Sequence, residues 1–222
     1  MKQDLALQAM LKQYEASSSN YRTNNNAEKY DLKNYFTTHL PDKQKSAQKR
    51  IRILPNDNES TPFVEVYGHK IQVEGEWKTF TCSNKMFDKD CPFCEAHDAL
   101  LSTGKDSDKE LAKKYNAKKM YVVKVIDRDH EDHGVKFWRF NHDYRKQGAY
   151  DKIMGVIMAL RQNIMHPTEG RDLMILIARD QNNKPAIQSI THLDPSPLNE
   201  DDEVANQWLE DTRTWQDVYL SL

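Results

Sequence analysis

The chain has 222 residues, of which 38% are hydrophobic and 30% charged, so it is long enough to bury one core with a small subdomain attached. No apolar run approaches the roughly 20 residues that span a bilayer, which excludes a transmembrane helix and predicts a soluble protein. The formal net charge is only −2. Residues 194–222 hold eight acidic residues and one basic residue, which leaves 31 basic and 26 acidic residues for a mildly basic body.

The N-terminal region, residues 1–30, is predicted to be a short amphipathic helix on a flexible tether. Residues 4–16 are strong helix formers with apolar side chains at helical spacing, and serine and asparagine runs follow them. The apolar stripe of such a helix packs either on its own body or on a neighbouring molecule. We therefore expect this region either to close on the core or to support self-association.

Two groups of short strands follow, each interrupted by helices. The predicted strands are residues 51–54, 63–67, 71–73, 77–81, 120–127, 135–140, 173–178 and 186–190, and the predicted helices are residues 95–101, 109–119 and 150–161. Because no strict βαβ repeat is present, we expect a mainly β, α+β fold, built as a small antiparallel barrel or sheet with inserted helices. The acidic last segment, residues 199–222, carries apolar residues at helical spacing and is predicted to be helical and docked.

All three cysteines fall within one short window, as Cys82, Cys91 and Cys94. The last two form a Cys-Pro-Phe-Cys knuckle, a spacing that lets two thiolates reach one metal ion. A histidine completes the set, and His69, on a separate strand-like run, is favoured over His97. Four protein ligands leave no open coordination position, so the sequence predicts one structural zinc ion and not a catalytic one. An odd number of cysteines and no secretory signal predict a reducing, cytoplasmic compartment.

Cations and aromatic rings alternate at residues 113–119, 137–140 and 144–146. Single-stranded nucleic acid is held in this way, with cations along the phosphates and exposed rings stacked on bases. Alternate side chains of a strand point to opposite faces, so Trp138 can be exposed if Phe137 faces inward. Lysine runs are also common on solvated helices, and strand aromatics are common in cores, so this pattern alone is a weak indication.

The order of several motifs resembles the single-stranded DNA-binding proteins of T-even-type bacteriophages. The similarity covers roughly residues 31–198 and is carried by Ile51-Arg52-Ile53-Leu54-Pro55, Pro62-Phe63, His69, Trp77, Cys82, Cys91-Pro92-Phe93-Cys94, Phe137-Trp138-Arg139-Phe140 and Tyr150-Asp151-Lys152-Ile153. The resemblance implies an OB-fold barrel with an inserted zinc subdomain at about residues 60–120, and a cleft between them for single-stranded DNA. It also implies that His69 is the fourth zinc ligand.

The resemblance further implies that the protein coats single-stranded DNA during phage-type replication, recombination and repair, in the cytoplasm of a host cell. Cooperative self-association and contacts with replication and recombination proteins are expectations from the family, although its basic N-terminal motif and long acidic tail are not matched here. The implied base-stacking residues are Trp77, Tyr115 and Trp138, and the implied phosphate contacts are Lys113, Lys114, Arg139 and Lys146.

Two other classes of function define the alternatives. One is a zinc-stabilised protein-interaction scaffold whose N-terminal and C-terminal helices are the working surfaces. An enzyme is disfavoured, because the sequence has no phosphate-cradling glycine loop, no nucleophile elbow and no paired carboxylates near an open metal. We therefore expect a binding protein without catalytic activity.

Overall fold

The computed structural model of the chain describes residues 33–56 and 61–220. The predicted N-terminal helix and tether, residues 1–30, lie outside the described residues. The strands within them are β1 (Tyr35–Phe36), β2 (Ser46–Ile53), β3 (Val64–Val73), β4 (Glu76–Thr81), β5 (Lys118–Asp127), β6 (Val135–Asn141), β7 (Arg171–Arg179) and β8 (Pro185–Pro195). The helices are α1 (Ser83–Phe87), α2 (Pro92–Ser102), α3 (Asp106–Ala112), α4 (Ala149–Leu160), α5 (Asp202–Leu209) and α6 (Trp215–Tyr219), with a 3-10 helix at Glu131–His133.

Strand β5 is the centre of the sheet because both of its edges are paired. Strand β6 pairs with it antiparallel along one edge. Along the other edge, β3 pairs with the first half of β5 and β2 pairs with its last three residues. The sheet continues from β2 through β7 to β8, and β1 adds a short parallel pair to β6. The predicted α+β class is confirmed, with a β-sheet as its main component.

The second half of β3 extends past β5 and forms a hairpin with β4. Its turn consists of Glu74 and Gly75, both with positive φ (52° and 84°), as two-residue hairpin loops require. The strands predicted at 63–67 and 71–73 are therefore one strand that runs through Gly68. A Cβ on Gly68 would lie 2.8 Å from Cε of Met120 and 3.0 Å from the carbonyl oxygen of Phe80, so the glycine permits a close approach of three strands.

An inserted lobe, residues 69–117, connects β3 to β5. After Gly68 the chain no longer pairs with β5, and it returns to β5 at Lys118; these two residues are paired partners. The predicted helix at 109–119 is wrong beyond Ala112, where α3 ends. Pairing with β3 draws the following lysines into β5 and overrides their helix propensity. The residues between α3 and β5, 113–117, are called the basic turn below.

Hydrophobic cores lie on both faces of the β5–β6 pair. On one face Val123 and Trp138 pack with residues of β2, β7 and α4, and on the other Phe137 packs against Trp215 and Val218 of α6. Both Phe137 and Trp138 are 2% exposed. The prediction that Trp138 can be exposed is therefore wrong, because packing covers both faces of β6 at Phe137 and Trp138.

Two short helices, α5 and α6, lie within the acidic segment 199–222. Trp208 of α5 packs against Ile126 and Val135, and α6 covers part of the sheet as described above. Asp201 caps α5 by accepting a hydrogen bond of 2.9 Å from the Glu203 amide. In the part of the chain that the structure describes, every helix is too short or too polar to cross a membrane.

Candidate metal centre and nucleic-acid interface

Four donor side chains converge in the inserted lobe: His69, Cys82, Cys91 and Cys94. Nε2 of His69 lies 3.3 Å from Sγ of Cys91 and 3.7 Å from Sγ of Cys94. Sγ of Cys82 lies 4.0 Å from Sγ of Cys91 and 3.5 Å from Sγ of Cys94. A disulfide requires an S–S distance of about 2.0 Å, so the three cysteines are free thiols.

The positions of these donors are determined by the pairing of β3 with β4 and by the N-termini of α1 and α2. His69 is completely buried on β3, within the part of the strand that pairs with β4. Cys82 follows β4 and caps α1, where its sulfur accepts a hydrogen bond of 3.4 Å from the Lys85 amide. Cys91 is the N-cap of α2, with a proline as the first helical residue, and the second knuckle cysteine lies in the first turn of that helix.

The donor set fits a tetrahedral zinc ion. Zinc with bonds of about 2.3 Å to sulfur and about 2.0 Å to nitrogen separates its ligand atoms by about 3.5–3.8 Å. The four separations given above range from 3.3 to 4.0 Å, and all four donor atoms lie within 4.8 Å of one another. One imidazole and three thiols are also a common ligand set for structural zinc. The four side chains therefore lie close enough to hold a metal ion and have the chemistry that zinc prefers.

The protein alone favours ionisation of the Cys91 thiol and opposes ionisation of the Cys94 thiol. Burial opposes ionisation of Cys91, yet the amide N–H groups of Cys94 and Phe93 and the Ser83 hydroxyl lower its pKa to about 6. Burial and the neighbouring sulfurs of Cys82 and Cys91 raise the pKa of Cys94 to about 12. A thiolate at Cys94 beside one at Cys91 is thus opposed by the protein alone and would be favoured by the positive charge of a metal.

His97 does not take part in this cluster. Its Nδ1 lies 2.9 Å from the carboxylate of Asp98, the next residue of α2. The structure therefore brings His69, and not His97, to the three sulfurs.

Several predicted nucleic-acid contacts lie on the surface of the inserted lobe. Trp77 is 62% exposed on the β3–β4 hairpin, and Nζ of Lys70 lies 5.7 Å from its ring centroid. In the basic turn, Lys113 and Lys114 are exposed and Tyr115 is half-buried. These residues keep a surface position that suits contact with a ligand.

The predicted contacts on and after β6 differ in how accessible they are to a ligand. Trp138 belongs to the core and has no exposed ring face for base stacking. The guanidinium of Arg139 lies 4.4 Å from the ring centroid of Tyr219 in α6, so it already makes a cation–π contact within the protein. Lys146 is exposed in the loop after β6, where Tyr144 is 78% exposed.

A wider aromatic surface was not predicted from the sequence. It lies on β3, β5, β6, the loop after β6 and the start of α4. Tyr144 is exposed, Tyr121 is only 4% exposed at its base, and the other residues are half-buried: Tyr67, Lys119, Phe140, His142 and Tyr150. The rings of Tyr121 and Tyr150 are stacked with centroids 4.2 Å apart, and His142 packs edge-on against Tyr144 at 4.6 Å. The alternation of Lys119 and Tyr121 was an available signal, but the helix predicted at 109–119 obscured it.

Cations lie along this aromatic surface. Nζ of Lys119 lies 5.2 Å from the ring centroid of Tyr121 and also pairs with Glu65, which raises the pKa of Lys119. Nζ of Lys85 lies 4.9 Å from the ring centroid of Tyr67. Burial raises the pKa of Tyr121, so its ring stays neutral at physiological pH. Positive charges beside neutral rings are the combination that binds single-stranded nucleic acid.

The profile of one known protein family matches most of the chain. The family is described as gp32 DNA binding protein like, and the match covers residues 45–213. This range contains the four donors of the candidate metal centre and all residues of the aromatic surface. A search of curated proteins returns no match.

Proposed function

The chain belongs to the gp32 DNA binding protein-like family, and from this premise we propose that it coats single-stranded DNA during phage-type replication, recombination and repair. Family membership supports DNA binding in general. The observation that carries the proposal for this chain is the accessible part of the aromatic surface, where Tyr144 is 78% exposed and Tyr150 and Lys119 are half-buried, above the buried ring of Tyr121. Rings of this kind stack on bases whatever their sequence.

We place the DNA between the inserted lobe and the sheet. Lys113, Lys114 and Lys119 are positioned to contact phosphates, because they follow one another from the basic turn into β5. Tyr144 is the proposed stacking residue with the largest exposed ring, and Lys146 lies two residues beyond it. Trp77, Tyr115 and Arg139 remain proposed contacts from the family pattern, whereas Trp138 is replaced in this role by Tyr144.

The sheet is compatible with an OB-fold barrel that carries an insertion. We interpret β2, β3, β5, β6 and β7 as barrel strands, and the inserted lobe as the zinc subdomain. The pair between Gly68 and Lys118 closes the lobe at its base. The acidic segment 199–222 is proposed as a separate unit, although its helices pack on the barrel. OB-folds bind single strands in grooves that combine positive charge with aromatic rings.

The proposed mechanism is passive. Binding to single strands lowers their free energy and shifts duplex melting by mass action, with no chemical step. The candidate metal centre holds a structural zinc ion in this proposal, which supplies a cross-link between β3, the end of β4 and α2. His69, Cys82, Cys91 and Cys94 would hold it.

A binding titration tests the proposed function. We expect labelled oligo(dT) to bind more tightly than a duplex of equal length, because the rings need unpaired bases. The logarithm of affinity should fall with the logarithm of salt concentration by about 0.7 for each phosphate contacted. Equal affinity for both nucleic acids would contradict the proposal, and no binding at low salt would favour the protein-interaction scaffold instead.

Tryptophan fluorescence adds a local readout to the same titration. Trp77 is 62% exposed, and the other three tryptophans are at most 8% exposed. Quenching by poly(dT) should therefore come from Trp77 and should be lost in Trp77→Phe. Binding without quenching would remove Trp77 from the interface and leave the aromatic surface as the site.

A further inference from the structure

The buried ring of His69 makes contacts at both of its nitrogen atoms. Nε2 faces the sulfurs of the candidate metal centre, and Nδ1 lies 2.7 Å from the carbonyl oxygen of Tyr115. A carbonyl oxygen only accepts hydrogen bonds, so Nδ1 carries the proton and Nε2 presents its lone pair to the metal site. One ring thus connects the metal donors to the basic turn.

The basic turn is also held at its C-terminal end. Ala117 is buried in a cluster with Cys82 and Cys91, and the chain then enters β5. Lys113 and Lys114 are exposed directly before these two anchors, and Lys113 also pairs with Glu110 of α3. Backbone hydrogen bonds to α3 hold the two lysines on one side, and the hydrogen bond from His69 and the packing of Ala117 fix the chain immediately after them.

We propose that His69 is a positioning residue for single-stranded DNA binding: its Nδ1–H holds the Tyr115 carbonyl and so fixes the lysines of the basic turn toward the phosphates. This inference rests on the proposed function. A histidine ligand donates its second N–H to an outer partner, and metal binding at Nε2 strengthens that donor. A fourth cysteine would complete the metal site equally well but has no second donor, which gives a physical reason for a histidine at this position.

The variant His69→Cys separates the two roles of the ring. It keeps four metal ligands, and we expect one zinc ion per chain and a cobalt spectrum typical of four thiolates. Amide exchange in residues 113–118 should accelerate, because the Tyr115 carbonyl loses its partner. Affinity for oligo(dT) should fall by about 3- to 10-fold, and the salt slope should decrease by about 0.7 to 1.4, which corresponds to one or two phosphate contacts.

A double-mutant cycle provides the matched control. Lys113→Ala with Lys114→Ala should reduce the salt slope in wild type while leaving metal content and amide exchange unchanged. In the His69→Cys background the same pair should cost little further affinity, because these lysines are already displaced. Full additivity of the two changes would overturn the inference, as would a metal-loaded His69→Cys protein with wild-type affinity and salt slope.

If His69→Cys does not fold or bind metal, the hydrogen bond from Nδ1 of His69 to Tyr115 can be tested on the unmodified, zinc-loaded protein. The imidazole nitrogen-15 spectrum should show a slowly exchanging proton on Nδ1 of His69 and a metal-bound Nε2. A proton on Nε2 would overturn the inference. If wild type shows no preference for single strands, the proposed function fails, whereas the nitrogen spectrum still tests the hydrogen bond to Tyr115.

Discussion

The inserted lobe and the sheet are stabilised in different ways. Among the described residues, the main core of the sheet contains seventeen buried residues, whereas the cluster inside the lobe contains three, Cys82, Cys91 and Ala117. Helices α1 and α2 contribute no fully buried residue. Hydrophobic burial can hold the sheet together, whereas the lobe has a small core and contains the four donors of the candidate metal centre. In the proposed function, a metal ion held by these donors would supply the cross-link that replaces a larger core.

Metal removal is expected to produce the largest difference between the two regions. Chelation should make residues 69–117 sensitive to protease, while β2, β5 and β7 remain resistant, because the lobe loses the cross-link between β3, the end of β4 and α2. Limited proteolysis with mass spectrometry measures both regions in one sample, and adding zinc back should restore resistance. Simultaneous cleavage of lobe and sheet, or no change in either, would contradict the expectation that metal stabilises the lobe and not the sheet.

Truncation of a tryptophan should affect the two regions very differently. Trp138→Ala opens a cavity in the sheet core and should reduce the free energy of unfolding by about 3–5 kcal/mol. Trp77→Ala, on the exposed hairpin of the lobe, should change it by less than about 0.5 kcal/mol. Urea denaturation measures both variants. Similar losses of unfolding free energy in the two variants would contradict the burial of Trp138 or the exposure of Trp77.

Removal of the exposed ring at Tyr144 should weaken DNA binding without affecting stability. We expect Tyr144→Ala to reduce the affinity for oligo(dT) by about 1–3 kcal/mol, the contribution of one stacked base. Met158→Ala is the matched control, because Met158 is 70% exposed on α4 and outside the aromatic surface. Anisotropy titrations compare the variants, and wild-type affinity in Tyr144→Ala would exclude this ring from the interface.

A single lysine of the basic turn should produce the smallest effect. Lys114→Ala is expected to reduce the slope of log affinity against log salt by about 0.7, as one lost phosphate contact would. Lys184→Ala, in the exposed turn between β7 and β8, should leave the slope unchanged. An equal change in both variants would indicate a general charge effect and not a local contact.

The metal donors could be predicted from the sequence because three of them are close together in the chain. Cys82, Cys91 and Cys94 span thirteen residues, and their spacing determines their geometry to a large extent. His69 is favoured over His97 for different reasons, because a ligand from a separate strand ties two segments together and because the family resemblance implies it, and the structure brings His69 to the sulfurs. The geometry of such a local motif can be predicted from the spacing of its residues.

The aromatic surface could not be predicted in the same way, because its residues meet only through strand register. Tyr67, Tyr121 and Tyr150 are far apart in the chain, and Tyr67 lies near Tyr121 only because β3 pairs with β5. The exposure of Trp138 is mispredicted for a related reason, since strand periodicity does not show that both faces of β6 are covered, with Trp138 in the main core and Phe137 beneath α6. The aromatic surface and the burial of Trp138 both depend on contacts between residues that are far apart in the chain.

The location of the DNA is the central claim, and amide exchange of the zinc-loaded protein with and without oligo(dT) tests it most directly. If DNA lies between the inserted lobe and the sheet, its binding should slow amide exchange in residues 113–121 and 142–150 and leave β8 unchanged. Protection confined to β7 and β8, or absent from both predicted stretches while oligo(dT) is bound, would contradict it.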